Sequence, residues 1–443
     1  MNTLERAKSL AIWGFGREGR AAFAYIRAHY PEIEITILND SPISLDLPEG
    51  VRLLTGAEIG AAIRAGKFDT LIRSPGITPY RDEIREAEAG GITCTSVTNL
   101  WFETARPKTV IAVTGTKGKS TTSSLIHHLI AASGAETRLL GNVGVAALGQ
   151  EAARDYTVLE LSSYQIADLA HAPRFAVFTN LYPEHVPWHG SVERYFADKL
   201  RLLELDRATI GVCNYQDREL RARVGGRENT VWYNQPRGFH VTDGQLFHGD
   251  ELLDTSPFPL KGEHNLSNLA AACTLLELIQ IDVRAVLPQL ANFHQLPHRL
   301  QEFTIGGDIL CVNDSISTVP ESTIAALKAY RGHEITLLLG GTERGQDYHE
   351  LYNFLDGSSV TRIVLLPPTG KRIFQELEGR KLSAEVIPAE NLVEAMSIVF
   401  RQSNRGKVIL LSPAAPSFGE FTNFEERGAA FEALCRSQKL PAG

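Results

Sequence analysis

The stretch VTGTKGKSTT, Val113 to Thr122, sets a lysine and hydroxyls behind two closely spaced glycines. That combination suits phosphate. Lys119 offers a fixed cation for β- and γ-phosphate oxygens, and Ser120 or Thr121 can place a hydroxyl on Mg²⁺. The run TVIAVT before it predicts a strand, and STTSSLIHHLIAAS after it predicts a helix, which is the context of a phosphate loop. Gly115 and Gly118 nevertheless enclose only Thr116 and Lys117, whereas a Walker A loop has four residues between its glycines. The bland alternative is a basic first turn of a helix.

A second glycine cluster, GFGREG, matches G-x-G-x-x-G at Gly14, Gly16 and Gly19, between a predicted strand and a helix. Such glycines permit a tight turn and leave helix N–H groups for an anion, and Asp40 lies where a dinucleotide fold carries its ribose-binding acid. A ligand-free glycine turn is the alternative. Glu160 in LELSSYQ and His185 in NLYPEHVPWHGS each follow an apolar run, and Lys199 lies in the helical pattern VERYFADKLRLL. A carboxylate and an imidazole near nucleotide phosphates suit divalent cations. Singly, Glu160 also fits a surface acid and His185 a satisfied loop histidine. His189, His127 and His128 offer no more than that. Further on, Arg299 could reach a γ-phosphate, and Asp314 could bond a ribose or orient metal-bound water.

These residues need elements to hold them. Short β-branched runs alternate with helical patterns through all 443 residues, predicting an α/β fold with mainly parallel sheets. The length predicts three domains at roughly 150 residues each, with boundaries near residues 106 and 297, hence 1–106, 107–297 and 298–443. Hydrophobic residues at 43% and charged residues at 22% are those of a globular protein with substantial cores. The net charge of −8 gives no attraction to nucleic acid or acidic membranes. Five scattered cysteines without a CxxC pair predict buried thiols in a reducing cytosol. The N-terminus MNTLERAKSLAIWGFG lacks a long apolar signal core, and no apolar run reaches the ~18 residues of a membrane helix. A cytoplasmic protein without membrane insertion is expected.

Taken in order, RSPGI, GNVG, LELSSYQ, the PEH histidine, the YFADK lysine, EHNLSNLAAA, HR, NDS, LGG and SPAAPSF, together with VTGTKGKSTT, resemble the Mur ligase family over essentially the whole chain. The family's shortened loop T-G-T-x-G-K-S/T accounts for the missing residues. The resemblance implies an amide ligase with a Rossmann-like N-terminal UDP-binding domain, a central P-loop ATPase-like domain and a Rossmann-like C-terminal domain. It implies ATP and two Mg²⁺ ions as cofactors, with UDP-N-acetylmuramoyl-L-alanine and glutamate as substrates and a monomeric enzyme.

Residue by residue, it implies that Gly14, Gly16, Gly19, Asn39, Asp40 and Ser74 bind the UDP end and that Asn142 contacts the muramoyl group. Gly115, Thr116, Lys117, Gly118, Lys119, Ser120 and Thr121 hold ATP phosphates. Ser120 and Glu160 serve one Mg²⁺, and His185 the second, bridged by a carbamate on Lys199. Asn265, Asn268, Arg299 and Asp314 fall on nucleotide-contacting positions, and Ser417 and Phe424 on those holding the amino acid. The implied reaction activates the alanyl carboxylate as an acyl phosphate, which the glutamate amine then attacks.

D-glutamate-adding members carry a lysine after NDS. Here the order is Asn313-Asp314-Ser315-Ile316-Ser317-Thr318, and Arg344 stands where those members have a second lysine. With WGFGREGR, PEHxxWHGS and SPxAPSFG, the pattern leans to the members that add L-glutamate, leaving a separate epimerase to invert it; the D-glutamate enzyme is the alternative. A dehydrogenase explains GFGREG alone, folylpolyglutamate synthase shares the phosphate loop without the first domain, and a UDP-sugar sensor would not need Lys119, Glu160, His185 and Lys199.

Overall fold

A computed structural model describes residues 2–40, 51–142, 146–293, 297–306, 309–380, 382–401 and 407–438. The last two residues of GNVG lie outside the described residues. The chain forms two compact units, Met1–Phe293 and His294–Gly443.

The first unit opens with a parallel sheet of β1 (Ser9–Trp13), β2 (Glu34–Asn39), β3 (Arg52–Thr55), β4 (Thr70–Arg73) and β5 (Thr93–Ser96), in the order β3-β2-β1-β4-β5. Leu10, Ala11, Ile12 and Trp13 are all inaccessible to solvent, as expected of a parallel strand covered on both faces. The sheet order reverses at β1, so the C-terminal ends of β1, β2 and β4 frame a crevice.

A second parallel sheet follows: β6 (Val110–Thr114), β7 (Thr137–Gly141), β8 (Tyr156–Glu160), β9 (Phe175–Phe178), β10 (Ile210–Asn214) and β11 (Thr230–Tyr233), ordered β11-β10-β9-β6-β8-β7. Its order reverses around β6, which lies between β8 and β9. The helix Lys119–Ala132 leaves β6 through the phosphate loop and packs against the helix Glu263–Leu278. Near the expected break at 106, Arg106 caps the helix Val97–Ala105 in the left-handed conformation. Leu100, Trp101 and Phe102 of that helix share an apolar core with Leu10 and Ile12 of the first sheet and Ala112 and Leu159 of the second.

A small antiparallel sheet, β12 (Phe239–Thr242), β13 (Gln245–His248) and β14 (Glu251–Leu252), completes this unit. Its tight turn is Asp243-Gly244, both at positive φ (49° and 70°), the type I′ chemistry of Asp-Gly hairpins.

The second unit is one sheet, β15 (Gln301–Ile305), β16 (Ile309–Asn313), β17 (Ile335–Gly340), β18 (Val360–Leu366), β19 (Glu385–Pro388) and β20 (Val408–Leu411). Its order is β15-β16-β20-β17-β18-β19, with only β15 antiparallel. The C-terminal ends of β16, β20 and β17 are therefore neighbours, though far apart in sequence. No helix among the described residues is long and apolar enough to cross a membrane. All five cysteines are free, four of them buried.

Candidate active site

The phosphate loop sits at the C-terminal end of β6, where the second sheet reverses and α/β folds collect ligands. Its glycines are there for contact. A Cβ on Gly115, at φ +146°, would lie 1.9 Å from Thr179 Oγ1, and one on Gly118, at φ +82°, would lie 2.6 Å from Asn268 Oδ1. The loop is thus laid directly on the residues after β9 and on the helix Glu263–Leu278. Thr116 N–H donates to the Asn180 carbonyl at 2.9 Å, and Lys117 N–H to Asn180 Oδ1 at 2.8 Å. Asn180 Nδ2 and Thr179 Oγ1 both return bonds to the Lys117 carbonyl, at 3.0 and 2.5 Å. Thr116 Oγ1 meets Tyr195 Oη at 2.8 Å.

Two lysines converge on this loop. Lys119 Nζ donates to the Thr116 carbonyl at 2.9 Å, and Lys199 Nζ to the Gly115 carbonyl at 2.8 Å. Lys199 lies on the helix Val192–Glu204, capped by Ser191, and is 2% exposed over the Tyr195 ring. Burial, with Lys119 as a nearby like charge, holds its amine well below the usual lysine range, although Glu184 and Glu160 act in the opposite sense. The preceding residue, Asp198, faces the other way. It accepts from His189 Nδ1 at 2.5 Å and from Tyr80 Oη, while His189 Nε2 meets Ser163 Oγ at 3.0 Å. His189 is fully buried and bonded on both nitrogens.

Glu160, at the end of β8, is inaccessible to solvent. Its carboxylate accepts from Asn142 Nδ2 at 3.0 Å and Ser123 Oγ at 3.4 Å. His185 is left-handed (φ 56°), about half exposed, with Nε2 3.7 Å from Glu184 Oε2. Burial lowers its pKa, ahead of the opposing Glu184 charge. Glu184 itself is held low: burial would raise it, but the Lys117 ammonium at 2.7 Å outweighs that.

In the first sheet, Gly14 (φ +89°) turns the chain after β1, and Ser74 Oγ donates to its carbonyl at 2.5 Å. A Cβ on Gly19 would stand 2.1 Å from the Gly14 carbonyl oxygen, whereas Gly16 faces open space. Asp40, beyond Asn39 at the end of β2, accepts from Trp13 Nε1 at 3.1 Å and pairs with Arg81 at 2.8 Å. The motif also reaches the second sheet: Arg17 donates to the Asn142 carbonyl at 3.2 Å, and Gln165 donates to Glu18 at 2.6 Å.

In the second unit, Asp314 is buried at the end of β16 and accepts from Ser317 Oγ, Ser412 Oγ and Leu300 N–H at 2.5, 2.8 and 3.2 Å. Burial pushes its carboxyl up to about 6 against those bonds and the charge of Arg299. The Thr318 carbonyl accepts from Gln346 Nε2 at 2.8 Å, and the Arg344 guanidinium lies over the Phe418 ring. Ser417 is buried beside that phenylalanine, and Phe424 opens the last helix, Phe424–Arg436.

The structure therefore groups Lys119, Ser120, Thr121, Glu160, Asn142, Lys199, Asn265 and Asn268 around one strand-end crevice, with His185 on the loop after β9. The sequence reading overlooked Thr179, Asn180 and Tyr195, which fix the loop. β9 ends at Phe178, so Thr179 and Asn180 open the loop that follows it.

This geometry can be set beside known proteins. Residues 113–276 match the Mur ligase middle domain. UDP-N-acetylmuramoyl-L-alanine–L-glutamate ligase of Xanthomonas axonopodis pv. citri is 36% identical, covering 96% of this chain and 95% of its own. The protein of the same name from Salinispora tropica is 39% identical, covering 97% and 98%. The chain belongs to the Mur ligase family. Among solved structures, the MurC ligase of Thermotoga maritima superposes with a TM-score of 0.62 at 17% identity, over 97% of this chain and 99% of that one. The MurF ligase of the same organism, in complex with ADP, gives 0.58 at 16%, over 98% of both. At such identities these two speak for the Mur ligase fold alone.

Whether the residues suit the family's Mg²⁺ is a question of donor chemistry. The Ser120 hydroxyl and the buried Glu160 carboxylate are hard oxygen donors, which fits. Among the described residues no three His, Cys, Asp or Glu side chains converge, so a magnesium ion here would lean on phosphate and water oxygens, as this cation commonly does. Lys199 as an amine is no ligand for it; as a carbamate it would present oxygens.

Proposed function

We propose that this Mur ligase joins glutamate to UDP-N-acetylmuramoyl-L-alanine with hydrolysis of ATP to ADP and phosphate, and that the enantiomer is L-glutamate. The observation that carries the reading is the short glycine loop at the sheet reversal, with Lys119 and Lys199 on its carbonyls and Glu160 at the next strand end.

Lys119 and the loop N–H groups would draw the ATP phosphates to the start of the helix Lys119–Ala132. Asn142, bonded to Glu160, would orient the alanyl end of the substrate. Its carboxylate attacks the γ-phosphorus, ADP leaves, and the resulting acyl phosphate is attacked by the glutamate amine with loss of phosphate. Mg²⁺, when bound at Ser120 and Glu160, would offset the repulsion between these anions. Lys199, whose burial favours the neutral amine, would add CO₂ and release a proton, and its carbamate oxygens, with His185, could then hold a second Mg²⁺. Arg299 and Asp314 would engage the nucleotide, and Thr318, Arg344, Ser417 and Phe424 the incoming amino acid.

The L form is favoured by Ile316 and Arg344, since a guanidinium fork and a lysine point charge aim a carboxylate differently. An epimerase would then have to act on the product. UDP-sugar and ATP chemistry of this kind belongs in the cytoplasm. Purified enzyme, given UDP-N-acetylmuramoyl-L-alanine, ATP and each glutamate enantiomer in turn, should release phosphate with the higher kcat/KM for L-glutamate. Preference for the D form would overturn the enantiomer alone; no glutamate-dependent phosphate with either would overturn the ligase reading.

A further inference from the structure

Arg427, in the first turn of the helix Phe424–Arg436, is 1% exposed and forms no ion pair among the described residues. Its guanidinium is held by neutral acceptors. Nε donates to Ser315 Oγ at 3.0 Å, Nη2 to the carbonyls of Ser315 and Ala415 at 2.8 and 3.0 Å, and Nη1 to the Pro416 carbonyl at 3.1 Å. Nη1 is also turned toward Gly341, where a Cβ would lie 2.9 Å away. Ser315 follows β16, Ala415 and Pro416 follow β20, and Gly341 follows β17. The guanidinium's hydrogen bonds tie together the loops after β16 and β20, and it packs beside the loop after β17, which Thr342 N–H joins to the same Pro416 carbonyl at 2.8 Å. Ser315 Oγ donates to the Phe424 carbonyl at 2.8 Å.

Burying a guanidinium without a carboxylate costs several kcal/mol. Carbonyl dipoles satisfy its N–H groups but leave its net charge in place. Desolvation lowers the Arg427 pKa to about 10, still protonated at neutral pH, with Glu420 the opposing charge. The loops it holds are those of Thr318, Arg344 and Ser417, which the proposed function assigns to a substrate carrying two carboxylates.

We infer that Arg427 is a positioning and specificity residue for the incoming amino acid: it sets the three loops and supplies a buried positive charge, held without a directly paired carboxylate, that favours a dianionic substrate. This rests on the glutamate-ligase reading. The fork's two jobs are separable, because lysine keeps the charge without the geometry and methionine keeps neither.

With wild type established as glutamate-dependent, Arg427→Lys should raise the KM for glutamate about tenfold and Arg427→Met about a hundredfold. In both, kcat should stay within about threefold and the KM for ATP and for the UDP substrate should not move. The preference for glutamate over glutamine in kcat/KM should fall about tenfold in Arg427→Met, a discrimination that general loosening would not touch. Ser315→Ala, which removes one acceptor and keeps the charge, should raise the glutamate KM a few-fold and serves if Arg427→Met does not fold. Unchanged glutamate KM in folded Arg427→Lys and Ser315→Ala, or an equal rise for all three substrates, would overturn the inference. Absence of glutamate-dependent turnover in wild type would instead overturn the ligase reading.

Discussion

Lys199 and Arg427 are both cations sealed inside the protein, one beside the phosphate loop and one behind the strand-end loops of the second unit. Their chemistry makes the outcomes opposite. Lys199 has one carbonyl acceptor, the Gly115 oxygen, and a like charge nearby, and burial drives it toward the neutral amine. Arg427 has four hydrogen bonds spread over its planar fork and stays charged. A compact ammonium yields its proton when desolvated, whereas a delocalised guanidinium does not. The first region therefore holds a latent nucleophile, the second a permanent field.

The sharpest way to break this contrast is to exchange the cations. Lys199→Arg should lose as much turnover as Lys199→Ala, on the order of 10²- to 10³-fold, because arginine cannot form a carbamate. Bicarbonate should restore a decarbonated wild-type sample and neither variant. Substantial activity in Lys199→Arg would show that the residue serves only as a charge.

Stability should separate the two next. Arg427→Met strands the carbonyls of Ser315, Ala415 and Pro416 and should cost on the order of 4 kcal/mol in urea melts of the apo protein. Lys199→Met removes an ill-solvated amine and should be neutral or stabilising by about 1 kcal/mol at pH 7. The folded pKa of Lys199 lies below its ordinary 10.5, so its favourable contribution is present above that value and is lost as pH falls through the folded pKa. In bicarbonate-free buffer the variant's advantage should therefore shrink as pH rises toward 10.5. An advantage independent of pH would refute the neutral-amine account.

A narrower test, confined to one pH window, concerns Asp314, a buried acid in the arginine's own unit. Its carboxyl is raised from 3.8 to about 6, so the stability it contributes is fully present below 3.8 and lost as pH rises through about 6. Relative to wild type, Asp314→Asn should gain on the order of 2–3 kcal/mol between those limits. A constant difference between the two melting curves across that window would contradict the shift.

Much of the chemistry was legible because it is local. Lys119, Ser120 and Thr121 follow the glycines of one loop, and a strand–loop–helix period is written in the residues themselves. Glu160 was marked by its place at the end of an apolar run. The hairpin at Asp243-Gly244 is equally local, but its four-residue strands are too short to show a period in the sequence.

What sequence alone determined here is thus most of the elements and the strand–loop–helix that carries Lys119, since backbone preference and side-chain period act over a few residues. The tertiary structure decided the pairings. It laid Gly115 on Thr179 and Gly118 on Asn268, set Lys199 against the Gly115 carbonyl, and gathered the ends of β16, β20 and β17 around Arg427. Nothing in the run NFEERGAAF distinguishes a buried arginine from one on a solvated helix face. That depends on which loops pack over it, and those lie about 10 and more than 100 residues away in the chain, beyond the reach of any local pattern.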